Sequence, residues 1–78
     1  MKIVVAGPGC SHCQATEKNV FNAVAELNLD AEIIKVTDVL EFVKLGVFLT
    51  PAVLVDGNVV VAGRVPTVGE LKKLFSGI

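Results

Sequence analysis

Lys2-Ile3-Val4-Val5-Ala6 is a β-branched run with no polar alternation, and it stops abruptly at Gly7-Pro8-Gly9. A strand that is apolar on both faces needs cover on both faces, so this one belongs at the centre of a sheet. Behind it, residues 11–29 place Cys13, Val20, Phe21, Val24 and Leu27 at helical spacing, with Thr16 and Glu17 filling the turn between Cys13 and Val20. That pattern predicts one amphipathic helix. Residues 31–36 hold Ile33, Ile34 and Val36, a second short strand, and the intervening helix makes a βαβ unit whose right-handed crossover sets the two strands parallel.

Asp38 with Glu41 three residues on is a capping-box pattern opening a short helix, and Gly46 is placed to end it in a left-handed conformation. Runs at 52–55 and 59–62 flank Asp56-Gly57-Asn58, turn residues that favour a tight antiparallel hairpin. Thr67 with Glu70 repeats the capping box and opens a closing helix over 67–78, with Leu71, Leu74 and Ile78 facing inward and Lys72 and Lys73 outward. The order is βαβαββα, an α/β arrangement.

Seventy-eight residues leave room for a single domain spanning residues 1–78. An apolar content of 53% against 19% charged is too rich for a disordered chain, yet no stretch reaches the roughly 18 to 20 apolar residues a membrane helix requires. A net charge of −1 with no run of either sign lacks the electrostatic footprint of a nucleic-acid binder. The apolar start is too short for a secretory signal, so a cytoplasmic monomer is the expectation.

The chain has two cysteines, Cys10 and Cys13. A disulfide-stapled secreted scaffold carries more cysteines closing longer loops. A structural zinc site wants four ligands, and Cys10, His12 and Cys13 supply at most three soft ones, so no metal site or other cofactor is expected. Positions i and i+3 of a helix bring side chains to about 5 to 6 Å between Cβ atoms, a little wider than a disulfide prefers, and a loose first turn closes the remainder. The pair can therefore join and part without unfolding the chain.

A helix starting near Ser11 puts Cys10 at its N-cap, where unpaired backbone N–H groups and the positive end of the dipole favour thiolate over thiol. Cys10 is then the nucleophile, and Cys13, one turn deeper, is the resolving thiol. His12 allows two readings: protonated, it stabilises the Cys10 thiolate; otherwise it is an ordinary exposed residue. Gly7 and Gly9 lack the third glycine and the lysine of a phosphate-binding loop, and are read as letting a partner's backbone approach Cys10.

Gly7-Pro8-Gly9-Cys10-Ser11-His12-Cys13 between a strand and a long helix, then Thr50-Pro51 directly before a hairpin, then Gly63 and a closing helix, resembles the thioredoxin-like superfamily over nearly the whole chain. The match is nearest to the small thioredoxin/glutaredoxin-like redox-active disulfide proteins. The resemblance implies a four-stranded mixed sheet in the order 2-1-3-4 flanked by three helices. It also implies a cis Pro51 facing the cysteines, and a Thr50 backbone that pairs with a substrate strand. It implies a thiol-disulfide oxidoreductase acting on protein disulfides, with a thioredoxin reductase as candidate reductant.

Departures from the pattern are specific. Typical thioredoxins carry Trp before the first cysteine and Gly-Pro between the pair; here Gly9 precedes it and Ser11-His12 intervene. They also carry a buried Asp six residues before the first cysteine that relays protons to the resolving thiol, where this chain has Val4; Glu17, one turn after Cys13, either stands in for that relay or is a solvated surface carboxylate. Gly63-Arg64-Val65-Pro66-Thr67 does not reproduce the Gly-Gly pair and polar helix start by which glutaredoxins recognise glutathione. Phe48 and Leu49 form either an apolar rim for partners or part of the core. One rival is a soft-metal carrier, since two thiolates suit Cu(I); small copper domains share the Cys-x-x-Cys but follow the order βαββαβ. A binding module that kept the fold and lost turnover is another.

Overall fold

The computed structural model describes residues 1–9 and 11–76. Its elements follow the order β1 (Lys2–Ala6), α1 (Ser11–Leu27), β2 (Glu32–Val36), α2 (Val39–Leu45), β3 (Ala52–Val55), β4 (Asn58–Ala62) and α3 (Val68–Ser76). The sheet runs β2-β1-β3-β4, with β1 parallel to β2 and antiparallel to β3. The first strand is central, as its apolar run predicts, and the mixed sheet has the order that the resemblance implies.

Alternation along β1 and β3 builds two cores. Ile3 and Val5 pair with Val55 and Val53, and all four point into a cluster with Val20 and Ala23 of α1 and Leu71 and Phe75 of α3. Val4 and Ala6 pair with Leu54 and Ala52 and point the other way, against Phe42 of α2 and Val47. A register shift of one residue would exchange these sets, so burial on both faces fixes the pairing.

Helix ends follow local chemistry. α1 stops at Leu27, two residues short of the expected 29, because Asn28 takes a left-handed conformation with φ 53°. Its N–H donates to Ala25 O at 3.2 Å, and that of Leu29 donates to Val24 O at 3.1 Å, the paired bonds of a Schellman motif. α2 ends the same way at Gly46, φ 79°, where Val47 N–H reaches Phe42 O at 2.8 Å and both side chains enter the second core. At its start the Asp38 carboxylate accepts from Leu40 N–H at 2.9 Å, while Glu41 pairs with Lys44. Asp38→Ala should cost about 1 kcal/mol, read as a lower urea midpoint with unchanged slope.

Three expectations are corrected. The inward stripe of α1 is Cys13, Thr16, Val20 and Ala23, whereas Phe21 is 50% exposed, one step around the helix from Val20. Thr16 buries because its hydroxyl donates to His12 O of its own helix at 2.9 Å, so its polar atom is paired. The hairpin turn has two residues rather than three: Asp56 and Gly57 both have positive φ, a type I′ geometry, and Asn58 already pairs with Val55. β4 therefore starts at Asn58, and it carries a bulge where Val53 pairs with Val61 but Leu54 with Val59.

In α3 the inward residues are Leu71 and Phe75, at i and i+4; Leu74 is only half-buried, and Ile78 lies outside the described residues. The Thr67 hydroxyl accepts from Glu70 N–H at 3.1 Å, as the capping box requires. The Glu70 carboxylate instead accepts from both terminal nitrogens of the Arg64 guanidinium, whose hydrogen bonds hold Glu70 below the usual carboxylate range. No described helix is long and apolar enough to cross a membrane.

Candidate functional site

The sheet delivers two loops to one end of β1. Past Ala6 the ladder continues for one more bond, Gly7 N–H to Val36 O at 2.9 Å, after which Pro8 and Gly9 turn the chain into α1. The Gln14 amide donates back to Gly9 O at 3.3 Å, tying the loop to the helix it precedes. Cys13, third residue of α1, is 2% exposed. His12 is exposed. Cys10, the expected nucleophile at the helix mouth, lies outside the described residues.

The second loop runs from α2 to β3. Val47 is buried, and Phe48 and Leu49 then stand 84% and 62% exposed, so of the two roles open to them the structure selects the surface. The Thr50–Pro51 peptide is cis, and Pro51 O accepts from Gly63 N–H at 3.0 Å, fixing the loop to the end of β4. The Leu49 side chain lies over Gly63, where a methyl group would sit 3.2 Å from Leu49 Cδ1.

The two loops meet in an apolar groove of about 360 Å³, in which Pro8 and Thr50 share a wall with Val39, Phe42, Val43 and Phe48. Thr50 thus lines one groove with Pro8, which stands two residues before Cys10 in the sequence. The contribution of Val39 and Val43 escapes a sequence reading that takes α2 only through its caps. Their spacing of four, with Leu40 73% exposed beside them, is the available signal of an outward apolar face.

Val4, standing where typical thioredoxins have an acid, packs among Ala6, Phe42 and Leu54 in the second core. Glu17 pairs with Lys35 at 3.3 Å along a separate polar cleft on the outer side of α1 and β2. That pairing favours the solvated surface role over the proton relay. Gly7 departs from expectation: the space beside it is filled by Cys13 of the same chain, not left open to a partner. Among the described residues no three His, Cys, Asp or Glu side chains cluster as metal ligands, and the order of elements closes on α3, unlike the βαββαβ order of the copper domains.

Comparison with known proteins agrees with this architecture. The profile of the thioredoxin domain family matches residues 1–76. A thioredoxin of Methanothermobacter thermautotrophicus is 41% identical over 76 residues, covering 97% of this chain and 99% of that one. A thioredoxin of Methanocaldococcus jannaschii is 48% identical over 71 residues, covering 91% and 81% respectively.

Proposed function

The chain belongs to the thioredoxin family, and from that premise we propose that it is a thiol-disulfide oxidoreductase that reduces protein disulfides through Cys10 and Cys13. The observation that carries this reading is the meeting of the Pro8 loop and Thr50 in one apolar groove, directly ahead of the cysteine pair and the cis Pro51. The Cys10 thiolate attacks one sulfur of a client disulfide, forming a Cys10–client mixed disulfide and releasing the other client sulfur as a thiolate. Deprotonated Cys13 then attacks Cys10 Sγ; the Cys10–Cys13 bond forms and the second client thiolate leaves. The client gains two electrons and two protons, and the pair is oxidised. A flavin-dependent thioredoxin reductase is the proposed source of electrons, and a cytoplasmic monomer the proposed working form.

The test is reduction of a model protein disulfide with dithiothreitol as the terminal reductant. The protein should accelerate the reaction at least tenfold over dithiothreitol alone; no acceleration would remove the proposal. Replacing dithiothreitol by glutathione or by a thioredoxin reductase with its nicotinamide reductant then identifies the physiological class of donor. Phe48→Ala should raise KM for the protein substrate about tenfold with kcat within twofold, since covering one exposed aromatic ring on docking contributes about 1.4 kcal/mol. An unchanged KM would place client docking elsewhere.

A further inference from the structure

We propose that Gly7 is a positioning residue for the resolving step: the missing side chain at residue 7 forms the niche in which Cys13 Sγ is seated. This rests on the redox reading above. A methyl group at Gly7 would overlap Cys13 Sγ outright and stand 2.9 Å from Cys13 Cβ, against the roughly 3.5 to 4.0 Å of an ordinary carbon contact. Rotating Cys13 to another staggered rotamer would move the sulfur but leave the Cβ contact in place.

Neither side of the niche yields easily. Gly7 is buried, and its N–H is held by Val36 O at 2.9 Å, one step beyond the Ala6–Val36 pairing that ends the β1–β2 ladder. α1 is held down by Val20 and Ala23, both 0% exposed, and by Thr16, equally buried. A side chain at position 7 must therefore displace the sulfur or lift the first turn of α1. Ring closure forms the Cys10–Cys13 bond and expels the client thiolate. It demands Cβ atoms about 3.5 to 4.5 Å apart, and a misplacement near 1 Å costs on the order of 100-fold.

The experiment compares Gly7→Ala with the parent and with Gly69→Ala, the same added methyl at a position in α3 with no neighbour within 4 Å. Stopped-flow quench separates capture of a disulfide substrate from closure of the mixed disulfide. In Gly7→Ala, closure should slow at least tenfold while capture stays within twofold. The dithiol/disulfide equilibrium in glutathione buffer should also shift at least tenfold toward the dithiol. Gly69→Ala should match the parent in all three. Closure at the parent rate in folded Gly7→Ala overturns the proposal.

Should Gly7→Ala fail to fold, Gly7→Ala/Cys13→Gly should regain cooperative unfolding, because both overlapping atoms, Sγ and Cβ, are gone; a double variant that stays unfolded overturns it equally. A parent protein inert toward disulfides would sink the redox reading instead. The seating of Cys13 against Gly7 would then be judged from the double variant alone.

Discussion

Cys13→Ser is expected to stop the protein on its client, accumulating a mixed disulfide that a non-reducing gel resolves, whereas Cys10→Ser should trap nothing. Both should lose turnover by several orders of magnitude, because each removes one of two sulfurs that act as a unit. The asymmetry follows from access. Cys13 is 2% exposed and lies against Gly7, where a client disulfide flanked by its own backbone does not reach. In the proposed mechanism first contact therefore falls to Cys10, and Cys13 acts on the mixed disulfide so formed. In the Cys13→Ser variant, alkylation of Cys10 should follow a thiol titrating below the ~8.5 of a free cysteine, as expected of a thiolate at a helix start. Equal trapping by both variants would reverse or abolish the order of attack.

The legible parts of this fold are those dictated by short-range chemistry. Caps at Asp38, Gly46 and Thr67 are local hydrogen-bonding choices, and their residues point to them without reference to the rest of the chain. The burial of β1 on both faces shows in its unbroken apolar run, and the hairpin shows in Asp56-Gly57. What stays hidden depends on contacts between distant segments. Phe21 and Phe75 are the same residue type on amphipathic helices, one 50% exposed and the other 2%. A stripe wide enough to admit either choice leaves the decision to the sheet underneath. Gly7 misleads for the same reason. A glycine next to a cysteine motif invites the idea of an approaching partner, and only the path of α1 over β1 shows that the approaching atom is Cys13 Sγ. Pro8, Thr50 and Phe48 belong to two loops far apart in sequence, so the groove they share has no signature in either one.

The correction in α3 carries the largest expected cost in stability. Phe75→Ala should destabilise the protein by about 3–5 kcal/mol, the range for emptying a buried aromatic site. Phe75 closes the cluster formed by Ile3, Val5, Val53 and Val61 beneath α1 and α3, so its removal leaves a cavity lined by three strands and two helices. The surrounding groups are β-branched and held in a sheet, and collapse into that space is limited. A domain this small sits toward the low end of the roughly 5–15 kcal/mol that holds native folds together. Phe75→Ala should therefore show a urea transition shifted to very low denaturant, or no native baseline at all at 25 °C. Phe48→Ala makes the same chemical change at a site 84% exposed and should stay within about 0.5 kcal/mol of the parent. Leu74→Ala should fall between the two. If Leu74→Ala proved more costly than Phe75→Ala, the helix would be rotated on the sheet by about one residue, and the stripe of Leu71, Leu74 and Ile78 would have to be restored.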